Sequence, residues 1–185
     1  MCGRYFIDID DENLKAWMTD DVLSFTNGEV YPTDQALVLI YQDKVKPAVL
    51  PWGFIKWDSK SKIINARSET VMTSTFFKDA YANQKAIVLA SGFYEWGASK
   101  IRHIITPKEH SLIYMAALIQ HDDQGFAIIT QPATHPINTI HDRQPVLIHK
   151  DQITEYLTHQ LSPSLVTYPS VSLDMIASHH QTSLF

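Results

Sequence analysis

One cysteine is present in 185 residues. That excludes an internal disulfide, so nothing marks the chain as a secreted disulfide scaffold. No stretch reaches the ~18 uninterrupted apolar residues of a membrane helix. The first residues lack the apolar run of a signal peptide. These absences predict a soluble, cytoplasmic protein with no membrane partner. Repeats, low-complexity tracts and linker-like segments are missing. Long helices do not alternate with strands, which argues against a doubly wound parallel sheet. Basic side chains are outnumbered, 15 against 20. A net charge of −5 argues against a general nucleic-acid coat.

What is present suits one domain over residues 1–185. The hydrophobic share is 45%, with four Trp, eight Tyr and eight Phe, enough to build a core. Charge is unevenly spread. Residues 1–50 hold four basic and nine acidic side chains, whereas residues 51–100 hold seven and four. The basic segment contains Lys56, Lys60, Lys62, Arg67, Lys78, Lys85 and Lys100. Charge alone reads this as a solvated face. A local phosphate-binding groove is the sharper reading.

Patterning predicts strands at Gly3 to Ile7, Ala36 to Tyr41, Val45 to Leu50, Ile63 to Ala66, Ala86 to Ala90 and Gly92 to Trp96. Further strands are expected at Ile101 to Thr106, Leu112 to Ile119, Phe126 to Thr130 and Pro145 to Ile148. Asp10, Asp11 and Glu12 mark a helix start. Short helical pieces are expected at Ser68 with Glu69, from Thr73 to Tyr81, and from Asp151 to His159. The last twenty residues are poorly patterned. The fold class is therefore α+β: a curved, largely antiparallel, barrel-like sheet flanked by a few helices.

Four places hold residue types that reactive sites use. Cys2 sits one residue from the start. Removal of Met1 would give it a thiol and a free α-amine on adjacent carbons, a 1,2-aminothiol that no internal residue can supply. Asn65 to Thr70, NARSET, combines an amide, a guanidinium and a carboxylate. Ser91 to Trp96, SGFYEW, sets Glu95 among aromatics. Thr139 to Ile148, TIHDRQPVLI, places His141, Asp142 and Arg143 before a strand. Singly, each has a plain structural explanation: a loose terminus, a solvent-facing carboxylate, a loop histidine, a local cap. The nine histidines show no metal-ligand spacing and there is no second cysteine, so no metal or cofactor is expected.

As an ordered set these stretches resemble the SOS response-associated peptidase (SRAP) family. The resemblance is carried by MCGRY, YPTDQALVLI, PWGFIKW, INARSET, FFKDAYANQKAIVLASGFYEW, MAALI and FAIITQPATHPINTIHDRQPVLI, from residue 1 to about 148. It implies loss of Met1 by self-processing, followed by reaction of Cys2 with abasic sites in single-stranded DNA. It further implies Glu95 and His141 as acid–base groups and Asn65 as the residue that orients the Cys2 amine. Arg4 and Arg67 are expected at the phosphates, with Trp57 and Lys56 as weaker DNA contacts. Trp52 reads as core. A monomer engaging one short strand, nucleoid-associated when bound to DNA, is expected.

The chain departs from the family pattern in places. Glu29 stands where an Asn is usual, and a carboxylate there opposes phosphate. The loop from Trp57 to Asn65 is short, Gln144 replaces a Met, and the segment beyond Tyr168 and Pro169 is short and atypical. Rival readings are a class II glutamine amidotransferase-like hydrolase, which also exposes a Cys2 nucleophile, a non-catalytic reader of damaged DNA, and a peptidase acting in trans.

Overall fold

The structure, a computed structural model, describes residues 2–18, 24–56, 61–97, 100–108, 112–158 and 171–178. In chain order it contains β1 (Tyr5–Ile7), α1 (Glu12–Lys15), β2 (Gly28–Val30), β3 (Gln35–Gln42), β4 (Lys44–Pro51), β5 (Phe54–Ile55), β6 (Lys62–Ile63) and β7 (Asn65–Arg67). There follow α2 (Lys78–Asn83), β8 (Lys85–Ala90), β9 (Gly92–Trp96), β10 (Arg102–Pro107), β11 (Ile113–Ile119), β12 (Phe126–Pro132), β13 (Arg143–Pro145), α3 (Ile153–Leu157) and β14 (Leu173–Ser178).

Two main sheets form. One has five strands in the order β14-β10-β9-β1-β2. The other has seven: β13-β12-β11-β8-β3-β4, with β7 added parallel to β12. β5 and β6 make a small hairpin. Every other strand pair is antiparallel. The α+β fold with a curved, largely antiparallel sheet is what forms, and its curl stops short of closing a barrel.

The central strands explain the seven-stranded sheet. All residues of β8 and β11 are buried. Strands covered on both faces read as unbroken apolar runs, as KAIVLA and IYMAALI do. Trp52 lies beneath the surface at 0% exposure. Its ring is parallel to Phe126 at 6.3 Å and tilted against Tyr5 at 5.2 Å. Its indole N–H donates to the Ile64 carbonyl at 3.1 Å, so this core tryptophan ties β1 to the second sheet.

The chain crosses between the two sheets at Ser91. β8 ends at Ala90 in one sheet and β9 begins at Gly92 in the other. The Ser91 N–H donates to the Phe6 carbonyl at 2.8 Å, and its hydroxyl accepts from the Asp8 N–H at 2.9 Å. A Cβ at Gly92 would lie 2.6 Å from the Ile105 oxygen and from the Phe6 ring. Glycine is required there because β1 and β10 close on β9 from both sides.

Several elements differ from expectation. Of Thr73 to Tyr81 only the second part is helical: residues 73–77 are largely turn, and α2 begins at Lys78 and runs Lys78–Asn83. Ser74 Oγ accepts from the Phe76 N–H at 3.3 Å and the Thr73 hydroxyl donates to the Thr70 carbonyl at 3.2 Å. Such local bonds compete with helix. The strand expected from Pro145 to Ile148 is shifted: β13 is Arg143–Pro145. After it, the Val146 N–H still reaches the Ile129 carbonyl, but that of Ile148 donates to Tyr114. The chain has left the β12 edge for β11. Ile63 to Ala66 divides into β6 and β7, and the late helix reduces to α3 after a 3₁₀ turn at Lys150–Gln152. His159 lies outside the described residues. The poorly patterned tail supplies β14, paired to β10. No helix among the described residues is long and apolar enough to cross a membrane.

Candidate active site

Cys2 precedes β1 and is fully buried. Its carbonyl accepts from Asn65 Nδ2 at 2.9 Å. Its Sγ lies 4.0 Å from the Arg4 carbonyl oxygen. Burial pushes the thiol pKa far above its ordinary value, and the nearby Glu95 carboxylate adds to the rise. The sulfur is therefore a neutral thiol at physiological pH.

Asn65 opens β7, whose register with β12 pairs it with Ile128. Ala66 turns into the core, so Asn65 and Arg67 share the opposite face. The Asn65 Oδ1 atom is buried and has no hydrogen-bond partner among the described residues. A buried amide oxygen without a donor costs ~1–3 kcal/mol. It belongs to the side chain that already grips Cys2.

Glu95 lies on β9 at 2% exposure. Burial raises its pKa, and the neighbouring His141 opposes the rise. His141 Nε2 stands 3.9 Å from Glu95 Oε2. On the other side of the ring, the Arg143 N–H donates to Nδ1 at 2.9 Å. The Arg143 carbonyl at 3.2 Å and the Asp142 carboxylate at 3.1 Å would instead accept a proton from Nδ1. The shorter N–H bond makes Nδ1 an acceptor in the neutral ring, which leaves the proton on Nε2, facing Glu95. The two oxygens serve the charged ring.

A fork holds this arrangement. The Arg143 guanidinium meets the Glu69 carboxylate through two bonds, one of them Nη2 to Oε2 at 2.9 Å. Nη2 also donates to the Thr130 carbonyl at 2.7 Å. The bidentate pair joins NARSET to HDR across β12 and fixes the backbone that orients His141. Arg143 brings the Glu69 carboxyl down to about 2.

The opposite face of β9 carries a second cluster. Tyr94 and Trp96 alternate with Glu95, and Arg102 pairs with Trp96 in register. Glu29 Oε2 accepts from Arg4 at 3.4 Å and from the Tyr31 hydroxyl at 2.6 Å. Glu29 Oε1 accepts from Arg102 at 3.3 Å. The Arg4 guanidinium lies over the rings of Tyr31 at 4.4 Å and Trp96 at 5.1 Å. Tyr31, with Arg4 and Arg102 behind it, holds the Glu29 carboxyl below its ordinary range.

Of the residues singled out in the sequence, Cys2, Asn65, Glu95 and His141 are thus brought together. Arg4 reaches Cys2 only through its backbone carbonyl, its guanidinium lying in the second cluster, and Arg67 is exposed two residues beyond Asn65. Lys56 closes the β5–β6 hairpin through a backbone bond to Ser61, and Trp57 lies outside the described residues. Sequence reasoning missed Arg102, the Glu69–Arg143 fork and His103, which stands opposite Glu95 in register. The parity of the β9–β10 hairpin is the signal that would have found Arg102 and His103. Among the described residues, no three His, Cys, Asp or Glu side chains are grouped to hold a metal.

The family model for SOS response associated peptidase (SRAP) matches residues 1–177. The chain belongs to the SRAP family. Among curated SRAP relatives, it is 29% identical over 183 residues to the abasic site processing protein YedK of Escherichia coli, covering 88% of this chain and 82% of that one. It is 31% identical over 185 residues to the abasic site processing protein YoaM of Bacillus subtilis, covering 85% and 79%. A solved structure from Bordetella bronchiseptica superposes with a TM-score of 0.78 at 19% identity, covering 96% of this chain and all of the other. One from Bacteroides thetaiotaomicron gives 0.75 at 19% identity, covering 97% and 93%. These two share the SRAP fold.

Proposed function

We propose that this protein processes abasic sites in single-stranded DNA by trapping them on Cys2. The observation that carries the reading is the convergence of Asn65, Glu95 and His141 on a cysteine at position 2. Family membership and the names of the curated relatives support it.

Chemistry begins with loss of Met1, assigned here to self-processing at the same site. The freed α-amine adds to the open-chain aldehyde of the abasic sugar. Water leaves and a C=N bond forms. The thiol then adds across that bond: sulfur bonds to carbon, and the thiol proton passes to nitrogen. The product is a thiazolidine, with one water lost overall. A neutral thiol suits addition to an imine, provided a base receives its proton. Glu95, its pKa raised by burial, is suited to donate a proton to the sugar-ring oxygen as the ring opens. His141 is suited to exchange protons at the thiol or the departing hydroxyl. Asn65 Oδ1 supplies an acceptor for the new amine. Arg4 and Arg67 bind the flanking phosphates, with Lys56 and Trp57 further along a strand held by a monomer.

The test is a denaturing gel. Protein shown by mass to lack Met1 is mixed with an oligonucleotide carrying one abasic site, and separately with an intact strand. A heat-stable band specific to the abasic strand and lost in Cys2→Ala is expected. No band would sink the reading. Glutamine hydrolysis dependent on Cys2 would favour the amidotransferase-like alternative.

A further inference from the structure

On the outer face of β9, Arg4, assigned above to a flanking phosphate, meets two groups that the Cys2 reaction does not use, Glu29 and Arg102. Arg4 from β1's approach and Arg102 from β10 converge on one carboxylate, each taking a different oxygen of Glu29. The side chains remain partly accessible: 28% for Arg4, 34% for Glu29 and 20% for Arg102. Arg102 Nη2 donates to the Ser178 hydroxyl at 3.1 Å, which anchors the guanidinium while Nη1 meets Glu29. Aromatic rings line the same place. Arg4 lies over Tyr31 and Trp96, and Arg102 lies over Tyr94 at 5.1 Å.

We propose that Arg4 and Arg102 form one phosphate-binding fork for single-stranded DNA, and that Glu29 is its internal competitor. A phosphodiester presents two non-bridging oxygens much as a carboxylate presents its two. It can therefore replace Glu29 oxygen for oxygen. Arginine suits that exchange, because its planar guanidinium binds either anion in the same geometry. Exposed Tyr31 and half-buried Trp96 beside the fork are rings of the kind on which unpaired bases stack. Glu29 keeps the two arginines aligned in the absence of a strand, at the cost of affinity for one. The protein thereby holds intact strands weakly and depends on its covalent step to retain a lesion. This rests on the DNA reading above and adds to it a residue that sets affinity.

The experiment measures binding of the full chain to a fluorescent, intact oligothymidylate of about ten nucleotides, by anisotropy across a series of salt concentrations. Glu29→Gln should bind about tenfold tighter at low salt. Its plot of log K against log salt should steepen by roughly 0.7, the increment for one more neutralised phosphate on a single strand. Arg102→Ala in the Glu29→Gln background should abolish both gains. A purely architectural ion pair gives a different result: lower melting temperatures and unchanged salt slopes. That result, or no tighter binding by Glu29→Gln, overturns the proposal. The two readings fail separately. A protein that gains affinity through Glu29→Gln but never cross-links an abasic strand loses the Cys2 chemistry and keeps the fork. One that cross-links with no such gain loses the fork.

Discussion

His141 presents Nε2 to the Glu95 carboxylate at 3.9 Å while its Nδ1 accepts the Arg143 N–H at 2.9 Å. The imidazole is thus held at one nitrogen by backbone and faces a buried carboxylate with the other. Glu95 is the more constrained partner, since it is almost wholly buried.

Replacing Glu95 by Gln should separate activity from stability. Cross-linking should slow by ~10²-fold or more, as for loss of a general acid–base group. The fold should gain stability at neutral pH, because a buried charge is removed. The sign follows from linkage. Burial raises the carboxyl pKa in the folded state, so the native form holds its proton more tightly than the unfolded chain. The wild-type penalty is absent at acidic pH and full once pH exceeds the folded pKa. Thermal melts of both proteins from acidic to neutral pH should diverge as pH rises. Curves that converge instead would contradict a raised Glu95.

Asn65→Ala should leave the Cys2 carbonyl without its donor and the new amine without its acceptor. One hydrogen bond of about 1.4 kcal/mol corresponds to about tenfold in rate. The rate of cross-linking at saturating abasic strand should fall by at least that factor, measured by quenched time points on gels. Asn65→Asp tests the same contact by another route, since it keeps an acceptor and loses the Nδ2 donor. A rate within twofold of wild type for both would remove Asn65 from the site.

The Glu69–Arg143 fork should matter more to stability than to binding. Arg143→Ala breaks the bonds to Glu69 and to the Thr130 carbonyl, at a cost of ~1–3 kcal/mol. Arg143→Lys should recover little, because an ammonium cannot make the fork. Glu69 is partly solvated, so its own contribution is smaller. Its sign is opposite to that of Glu95. The folded carboxyl sits at about 2, below its unfolded value, so its contribution is present above the ordinary carboxylate range. It is lost as pH falls toward 2. The melting difference between wild type and Glu69→Gln should shrink along that path, and a difference that grows would contradict the pairing.

Much of the sheet was legible in the residues themselves. β9 falls at Gly92–Trp96 as read, because its aromatic residues favour a strand and glycine marks the entry. β8 and β11 were legible as apolar runs, since burial on both faces leaves no polar positions. β14 was not. It is an edge strand with three residues intermediate, three exposed and none buried to anchor a pattern, and its pairing to β10 is set by distant contacts. The helical piece expected over Thr73 to Tyr81 forms only from Lys78, because side-chain bonds close turns before it. For the site, residue chemistry raised Cys2, Asn65, Glu95 and His141 singly, and only the family resemblance joined them. The link from Arg102 to Glu29 spans 73 positions and leaves no local trace.

The strand order β14-β10-β9-β1-β2 has a consequence for biosynthesis. β1 lies between β2 and β9, so the strand that follows Cys2 is flanked on both sides only after β9 has been made. Cys2 leaves the ribosome before the groups assigned to act on it, which follow at 65, 95 and 141. Under the self-processing proposed above, a nascent chain carries a capped cysteine with no machinery to uncap it. The aminothiol is therefore released only inside a completed domain, where the groups that use it are already in place.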